Sequence, residues 1–361
     1  MNARWGLPAT IAVLAMAMLA VTEATPARAE PVKIKVQSGF GFNVPLLGET
    51  IREFQRRLDA LPGHEIRLRL YDVGKLVPTL QIFDAVTAGK LDAGFSFPGY
   101  WMGKLPAATV FGAVPFGPEA PEYLSWLHQG GGLEIWRRIY AKHGAVPVPC
   151  GVIPPEASGW FRKPIHSEQD LKGLKIRYAG LGGRVLQKLG ASITMLAAGD
   201  IFLSLERGVI DATEYSMPAV DKPLGFYKVA KHYYFPGWHQ PSSILELIVH
   251  KETWDGLSQA QRSAIETTCD ATTLWGLARG LAIQGPALSF FEAEGVEIHQ
   301  WSPQMMERFR EVSDQVMEEA SAEDPDFAEA WRSLQAFRAE YASWAEIAYT
   351  RSEPPSPTTA E

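Results

Sequence analysis

Cysteine is scarce in this sequence: Cys150 and Cys269 are the only two in 361 residues. No Cys/His spacing suits zinc, and H-E-x-x-H, a phosphate loop and G-x-S-x-G are all missing. Zinc hydrolases, nucleotide hydrolases and serine esterases therefore lose their sequence support. Gly180-x-Gly182-Gly183 follows an apolar run, but it fails the G-x-G-x-x-G spacing of a dinucleotide loop. Positive charge is also short: 34 Lys and Arg face 41 Asp and Glu, a net charge of −7. Such a balance provides no basic face for a phosphate backbone, so nucleic acid is excluded as the partner. The eight histidines are scattered, and His232, His239 and His250 read as surface or packing residues. Long apolar runs are missing after the first thirty residues, where nothing reaches the roughly 20 residues of a membrane-spanning helix. Two cysteines could form one disulfide in an exported protein, but their positions do not show that they meet. A chain with cores this large needs no staple, so buried thiols are the expectation.

What is present begins with an address. Arg4, the apolar run Ile11 to Val21 and the Ala27-Arg28-Ala29 motif read as a leader cleaved after Ala29, and hence export. The composition, 46% hydrophobic and 21% charged, is that of a globular protein long enough for two domains. Val32 to Val36 and Ile66 to Tyr71 alternate as strands, Leu46 to Leu58 and Thr79 to Ala88 have helical spacing, and Asp92 to Phe97 is a third strand. That order predicts an α/β domain with a largely parallel sheet. Trp126 to Tyr140 reads as a helix, Val146 to Gly151 leads out of the domain, and Pro154-Pro155 marks a hinge.

The second domain is organised around residues 173 to 218. Leu174 to Arg177 reads as a strand, and the glycines turn into a helix from Arg184 to Leu189. Asp200 caps a second helix, and Val209 to Ala212 is a further strand ending at Glu214 and Tyr215. An arginine and a glutamate thereby reach one sheet edge, at strand carboxyl ends, where open α/β sheets bind ligands. Ile244 to Val249 has no local partner, so the chain crosses back near Trp238 to Ser243. The expected division is a leader 1–29, domain I from 30–153 with 240–285, domain II from 154–239 with 286–320, a C-terminal helix 321–352 and a disordered tail 353–361. That last helix carries Phe327, Trp331, Phe337, Tyr341, Trp344 and Tyr349, an aromatic load that needs a covering surface.

Arg177 presents a planar fork that fits a carboxylate, whether that of a ligand or that of Glu214. Glu156, Glu214, Tyr215 and Gln240 form a second group able to hold a hard cation through oxygen, with Na⁺ and Ca²⁺ both open. A metal-free pairing of Glu156 with Arg177 is open too. Tyr100, Trp101 and Asn43 stand on loops of domain I from which they could complete a pocket.

These stretches resemble the substrate-binding proteins of tripartite ATP-independent periplasmic (TRAP) transporters. The likeness is carried by GLKIR (173–177), Leu-x-x-Leu-Gly-Ala (186–191) and DIFLSLERGVIDATE (200–214). It continues in AVTAGKLDAGFS (85–96), GWFRKPIHSEQDLKG (159–173) and YYFPGW (233–238). The resemblance implies a periplasmic-binding-protein-like fold, two discontinuous α/β domains around a ligand cleft with long C-terminal helices. It also implies periplasmic capture of a small organic acid, no catalysis, delivery to a membrane permease and a homodimer through the C-terminal helix. In the branch that binds 2-oxo and 2-hydroxy acids, the residue matching Arg177 holds the substrate carboxylate. A cation there is held by a glutamine at the position of Glu156, a glutamate at that of Gln240 and the carbonyl at Tyr215, where tryptophan is usual. Acid and amide are exchanged in this chain. Asn43 matches an asparagine of that branch. Two other readings stay open: a sugar acid or dicarboxylate bound without metal, with Arg184 as a second basic group, and an exported enzyme using Glu156 and Glu214 as an acid/base pair.

Overall fold

The computed structural model describes residues 1–2 and 31–348; the expected cleavage site after Ala29, Tyr349 and the tail 353–361 lie outside the described residues. The first strands and helices follow the alternation of the sequence: β1 (Val32–Ser38), α1 (Leu47–Ala60), β2 (Ile66–Tyr71), α2 (Ile82–Thr87) and β3 (Ala93–Ser96). Helix α1 is held by one apolar stripe, since Leu47, Ile51, Phe54 and Leu58 are all buried at helical spacing. Next come α3 (Ala108–Gly112), α4 (Ala120–Gln129), α5 (Gly132–Ala141), β4 (Ala145–Ile153) and β5 (Gly159–Phe161). The single helix expected between Trp126 and Tyr140 is thus two, because Gly130 and Gly131 interrupt it.

The middle of the chain forms β6 (Lys175–Arg177), α6 (Gly180–Lys188), β7 (Ser192–Thr194), α7 (Ala198–Glu206), β8 (Ala212–Thr213), α8 (Pro218–Asp221) and β9 (His232–Phe235). Three expectations are corrected here. Helix α6 starts at Gly180 and not at Arg184, so the glycines lie inside its first turn. Ala197 stands at the N-cap of α7, and Asp200 sits in the first turn, where its charge faces the positive end of the helix. The strand expected from Val209 to Ala212 forms only at Ala212–Thr213, since Val209 is turned out to solvent after α7, and β7, with three residues, is too short for a period-2 signal. The chain ends with β10 (Ser243–His250), α9 (Lys251–Asp255), α10 (Gln259–Ala282), α11 (Gln284–Ala293), β11 (Glu297–Gln300), α12 (Pro303–Glu323) and α13 (Pro325–Ala348). Among the described residues no helix is long and apolar enough to cross a membrane.

Two mixed sheets result, ordered β2-β1-β3-β10-β4 and β11-β9-β5-β8-β6-β7. In the first, β1 runs parallel to β2 and β3, while β10 lies antiparallel between β3 and β4. In the second, β5 is antiparallel to β8 and β9, and the other pairs are parallel. Strand β10 thus returns to the first sheet after β9 has joined the second. Helix α12 lies on α6, with Lys188 bound to Glu319 at 2.7 Å, whereas α13 lies on α3, α4 and α5. Phe327 on α13 is fully buried and Trp331 and Phe337 pack against the same core, so this chain itself covers part of that aromatic face. Trp344 and Ile347 remain exposed.

Cys150 on β4 and Cys269 on α10 are joined in a disulfide, which overturns the expectation of free thiols. Helix α10 packs across β4, and that long-range packing brings the two Cα atoms to 4.3 Å.

Between its end residues Ser243 and His250, strand β10 is apolar but for Glu246, which is wholly buried beneath Trp101 and Tyr140. The Trp101 indole donates to its Oε1 at 2.6 Å, and the Tyr140 hydroxyl lies at 3.3 Å. Burial raises Glu246 from its ordinary 4.5 to about 8, although both donors pull it down. Asp221 is likewise raised by burial, from 3.8 to about 7, against the pull of Trp160 and Tyr233. The folded chain keeps protons on both groups at pH values where the unfolded chain has released them. This stability is fully present below pH 4 and falls as pH rises through 7 and 8, by about 1.4 kcal/mol per pH unit for each group. We expect the urea midpoint to drop between pH 5.5 and 8.5, and Glu246→Gln to flatten the profile. An equally steep profile in that variant would remove Glu246 as a cause.

Candidate functional site

One small cleft is lined by residues beyond the carboxyl ends of β3, β4, β6, β8 and β9, with the antiparallel β5 and β10 starting on the same side. Arg177 is the last residue of β6, and Glu214, Tyr215 and Ser216 follow β8. Because β6 and β8 are parallel neighbours with Arg177 opposite Thr213, Glu214 is set one residue beyond the arginine. Glu156 stands between β4 and β5, Gln240 between β9 and β10, and Tyr100 on a 3-10 turn after β3. These residues, with Phe40, Leu47, Phe97, Ile153 and Ala179, line a nearly closed cavity of about 20 Å³. That is room for about one water, well below the range for small-molecule sites, so a ligand enters only when the two sides part.

Arg177 is 1% exposed and oriented from two sides. Its Nη1 donates to the Glu214 carbonyl at 2.5 Å and to Glu214 Oε2 at 2.8 Å, and its Nε donates to the Leu196 carbonyl at 3.2 Å. The Tyr215 ring lies under the guanidinium, 5.4 Å from Cζ. The salt bridge to Glu214 therefore exists, and it fixes the guanidinium within the cavity wall.

Glu156 and Glu214 are both buried and charge-coupled, but their surroundings differ. Burial, then the neighbouring Glu214, pushes Glu156 well above the carboxylate range, against the Ser216 hydroxyl that donates to Oε1 at 2.8 Å. Burial would raise Glu214 as well, but Arg177, His239 and the Ala179 N–H outweigh it and hold Glu214 below its ordinary value. The pair's two carboxyls are thus driven apart, Glu156 towards its protonated form and Glu214 towards its ionised one.

His239 is a residue that sequence reasoning missed. Its spacing suggests a surface or packing residue, yet its side chain is fully buried with Nε2 3.8 Å from Glu214 Oε1 and 4.0 Å from Glu156 Oε2. Two glycines make this approach possible. A Cβ on Gly182 would fall 2.6 Å from the Cβ of His239, and one on Gly237 would fall 2.4 Å from the Glu156 carbonyl oxygen. The only signal in the sequence is adjacency to Gln240 in the crossing segment. Glu156 Oε2 and both ring nitrogens of His239 are buried without a hydrogen-bond partner. Ligand atoms of Glu156, Glu214 and His239 lie within 4.8 Å of one another, a donor set that fits a cation.

Other expected site residues are distributed differently. Tyr100 lines the cavity, but its neighbour Trp101 points into the domain core, bound to Glu246, because the 3-10 turn sends adjacent side chains in different directions. Asn43 is exposed on the loop before α1 and is not among the lining residues. Gln240 lines the cavity while its amide oxygen accepts from the Ser243 hydroxyl at 2.9 Å. Arg184 lies outside, paired with Glu323 on α12 at 3.1 Å, so it adds no second basic group.

Two α/β sheets whose strand ends close on a buried arginine define a periplasmic-binding-protein-like receptor for a small solute. The chain belongs to bacterial extracellular solute-binding protein family 7, the DctP family, whose sequence profile matches residues 43–324. It is a solute-binding protein of the TRAP type, as the resemblance implied. It is 35% identical over 289 residues, 80% of this chain and 79% of the relative, to the monocarboxylate 2-oxoacid-binding periplasmic protein all3028 of Nostoc sp.. A TRAP transporter solute-binding protein of Bordetella bronchiseptica superposes with a TM-score of 0.86 at 32% identity, over 88% of this chain and 95% of that one. That structure is a mixed-occupancy dimer with copurified calcium and picolinate in its bound active site. A second, from Colwellia psychrerythraea, has a TM-score of 0.84 at 30% identity over 88% and 97%, with bound calcium and pyruvate.

Proposed function

We propose that this chain captures a small 2-oxo or 2-hydroxy monocarboxylate, such as pyruvate or lactate, with a bound cation, and hands it to a membrane permease. The observation that carries this reading is the set of orphaned buried atoms, Glu156 Oε2 and His239 Nδ1 and Nε2, beside an oriented arginine. Arg177 takes the ligand carboxylate on its Nη2 side, since Nε and Nη1 already serve Leu196 and Glu214. Tyr100, within electrostatic reach of Arg177, Glu214 and Glu156, closes the pocket from the first sheet. Glu156 and Glu214 hold the cation, with the Tyr215 carbonyl and Gln240 as further oxygen donors, and His239 stands within 4.0 Å of both carboxylates. A cation there would supply positive charge to the 2-oxo or 2-hydroxy oxygen of the ligand. Its arrival would displace the proton of Glu156, so binding weakens as pH falls. The calcium and 2-oxo acid ligands of the relatives support this choice, and so narrow a cleft favours it over a sugar acid.

The segments 30–153 with 240–285 and 154–239 with 286–320 would close on the ligand as two domains about the Pro154-Pro155 hinge. A periplasmic site of action and an assembly partner in the membrane are in keeping with the family, while export after cleavage at Ala29 rests on the leader sequence alone. The exposed Trp344 and Ile347 would contribute to a homodimer through α13; sedimentation as a monomer at micromolar concentration would refute it. The split protonation of Glu156 and Glu214 also suits an acid/base pair. We infer a receptor and not an enzyme; turnover of added pyruvate would reverse that inference.

Melting the protein with pyruvate, with and without Ca²⁺, tests the proposal, because a ligand of the folded state raises stability by mass action. Stabilisation by pyruvate is expected only with a cation present. Glu156→Gln should reduce the cation effect at least about tenfold in affinity, as loss of a charged ligand does. Equal stabilisation by pyruvate after chelation would remove the cation from the mechanism.

A further inference from the structure

A second cluster of metal-ligating side chains lies away from the cleft, on the edge of the second sheet. Strand β11 is the edge, and it runs parallel to β9 with Glu297 opposite His232 and His299 opposite Tyr234. Residues two apart on a strand share a face. This register therefore puts His232, Glu297 and His299 on one face of two adjoining strands. His232 Nδ1 lies 3.0 Å from His299 Nε2 and 3.5 Å from Glu297 Oε2, and His299 Nε2 lies 3.7 Å from the same oxygen.

We infer that His232, His299 and Glu297 form a binding site for a borderline divalent metal ion of the Zn²⁺ type. Zinc bonds of about 2.0–2.1 Å in a tetrahedron put neighbouring ligand atoms roughly 3.4 Å apart, close to all three distances here. Hydrogen bonding accounts for the cluster less well. One imidazole N–H can serve the other ring, but the carboxylate oxygen then stays beyond good hydrogen-bond length from both. A cation at the centre uses three lone pairs together. Two imidazoles and one carboxylate select zinc, nickel or copper over calcium or magnesium, which prefer all-oxygen sets.

The ligands are also held. His232 is 13% exposed, and the His299 ring stacks on Tyr234 at 4.6 Å, whose hydroxyl is anchored by the Ile165 N–H at 2.8 Å. Glu297 is 63% exposed, so the fourth position opens to solvent. His166 stands within electrostatic reach of His299 on the same side. An ion here would clasp the edge strand to β9, whose continuation carries His239 and Gln240 into the cleft.

The test is calorimetric titration of ZnCl2 at pH 7.5 into protein carrying no polyhistidine tag. With the cleft already filled by Ca²⁺ and pyruvate, one equivalent of zinc should bind, and further Ca²⁺ or Mg²⁺ should be unable to compete. His232→Ala and His299→Gln should each weaken that equivalent by about tenfold or more, and Glu297→Gln should weaken it less. Glu156→Gln/His239→Ala, which alters the cleft, should leave it intact. Cobalt substitution should give the intense visible bands of a tetrahedral site in the parent and lose them in His299→Gln. Zinc bound equally by the His232→Ala/His299→Gln double variant, or no zinc bound at tens of micromolar, overturns the assignment. All the edge-site variants should keep pyruvate binding with Ca²⁺, which separates loss of the edge site from a general loss of folding.

Discussion

Arg177→Ala is expected to remove acid binding from this protein, with an affinity loss of about 2–5 kcal/mol, or roughly 30- to 5,000-fold. The size of the effect comes from burial. Removing Arg177 takes away the proposed partner of the ligand carboxylate and also leaves Glu214 buried beside Glu156 without the charge that holds it ionised. Breaking a buried ion pair from one side costs about 3–5 kcal/mol of stability, so the variant should also melt earlier. The two losses can be separated. Arg177→Lys keeps the charge next to Glu214 but cannot present a planar fork. It should fold better than the alanine variant and still bind pyruvate with Ca²⁺ at least about tenfold more weakly than the parent. Calorimetry on both variants, with melting curves as the control, checks this. Parent-like affinity in a folded Arg177→Ala protein would exclude this arginine as the carboxylate receptor.

The second large effect concerns the disulfide. Cys150 and Cys269 are 119 residues apart in sequence, and cross-linking so long a loop restricts the unfolded chain by about 5 kcal/mol on the chain-entropy account. Cys150→Ser/Cys269→Ser should lose stability of that order, seen as a lower urea midpoint. The bond joins β4, an edge strand of the first sheet, to α10 packed on it, so the variant should keep ligand affinity while it stays folded. Dithiothreitol should shift the parent to the midpoint of the variant and leave the variant unchanged. A parent midpoint indifferent to reductant would show that the cross-link adds little.

The α/β class, the return of β10 to the first sheet and the convergence of Arg177 and Glu214 are legible in the amino-acid sequence. Each depends on signals within a few residues. Strands β1 and β2 declare themselves by alternation and β10 by an apolar run that only Glu246 interrupts, and Arg177 and Glu214 each follow a short stretch with apolar residues. Parallel pairing of β6 with β8 then places them side by side. Signals shorter than a period are lost, as with the three residues of β7 and the first turn of α6.

Other features depend on register and packing between segments far apart, about which local spacing carries no information. Tyr100 and Trp101 look equivalent in sequence, yet one lines the cavity and the other binds Glu246, 145 residues away. His239 enters the site because Gly182 and Gly237 admit its backbone, and His232 meets His299 only through the pairing of β9 with β11. The disulfide needs α10 laid across β4. By itself, the sequence determined the elements and the residue types at their ends, because periodicity and turn chemistry act over a few residues. The tertiary structure alone decided which of those residues share a site, because close approach is set by how the two sheets and their helices pack.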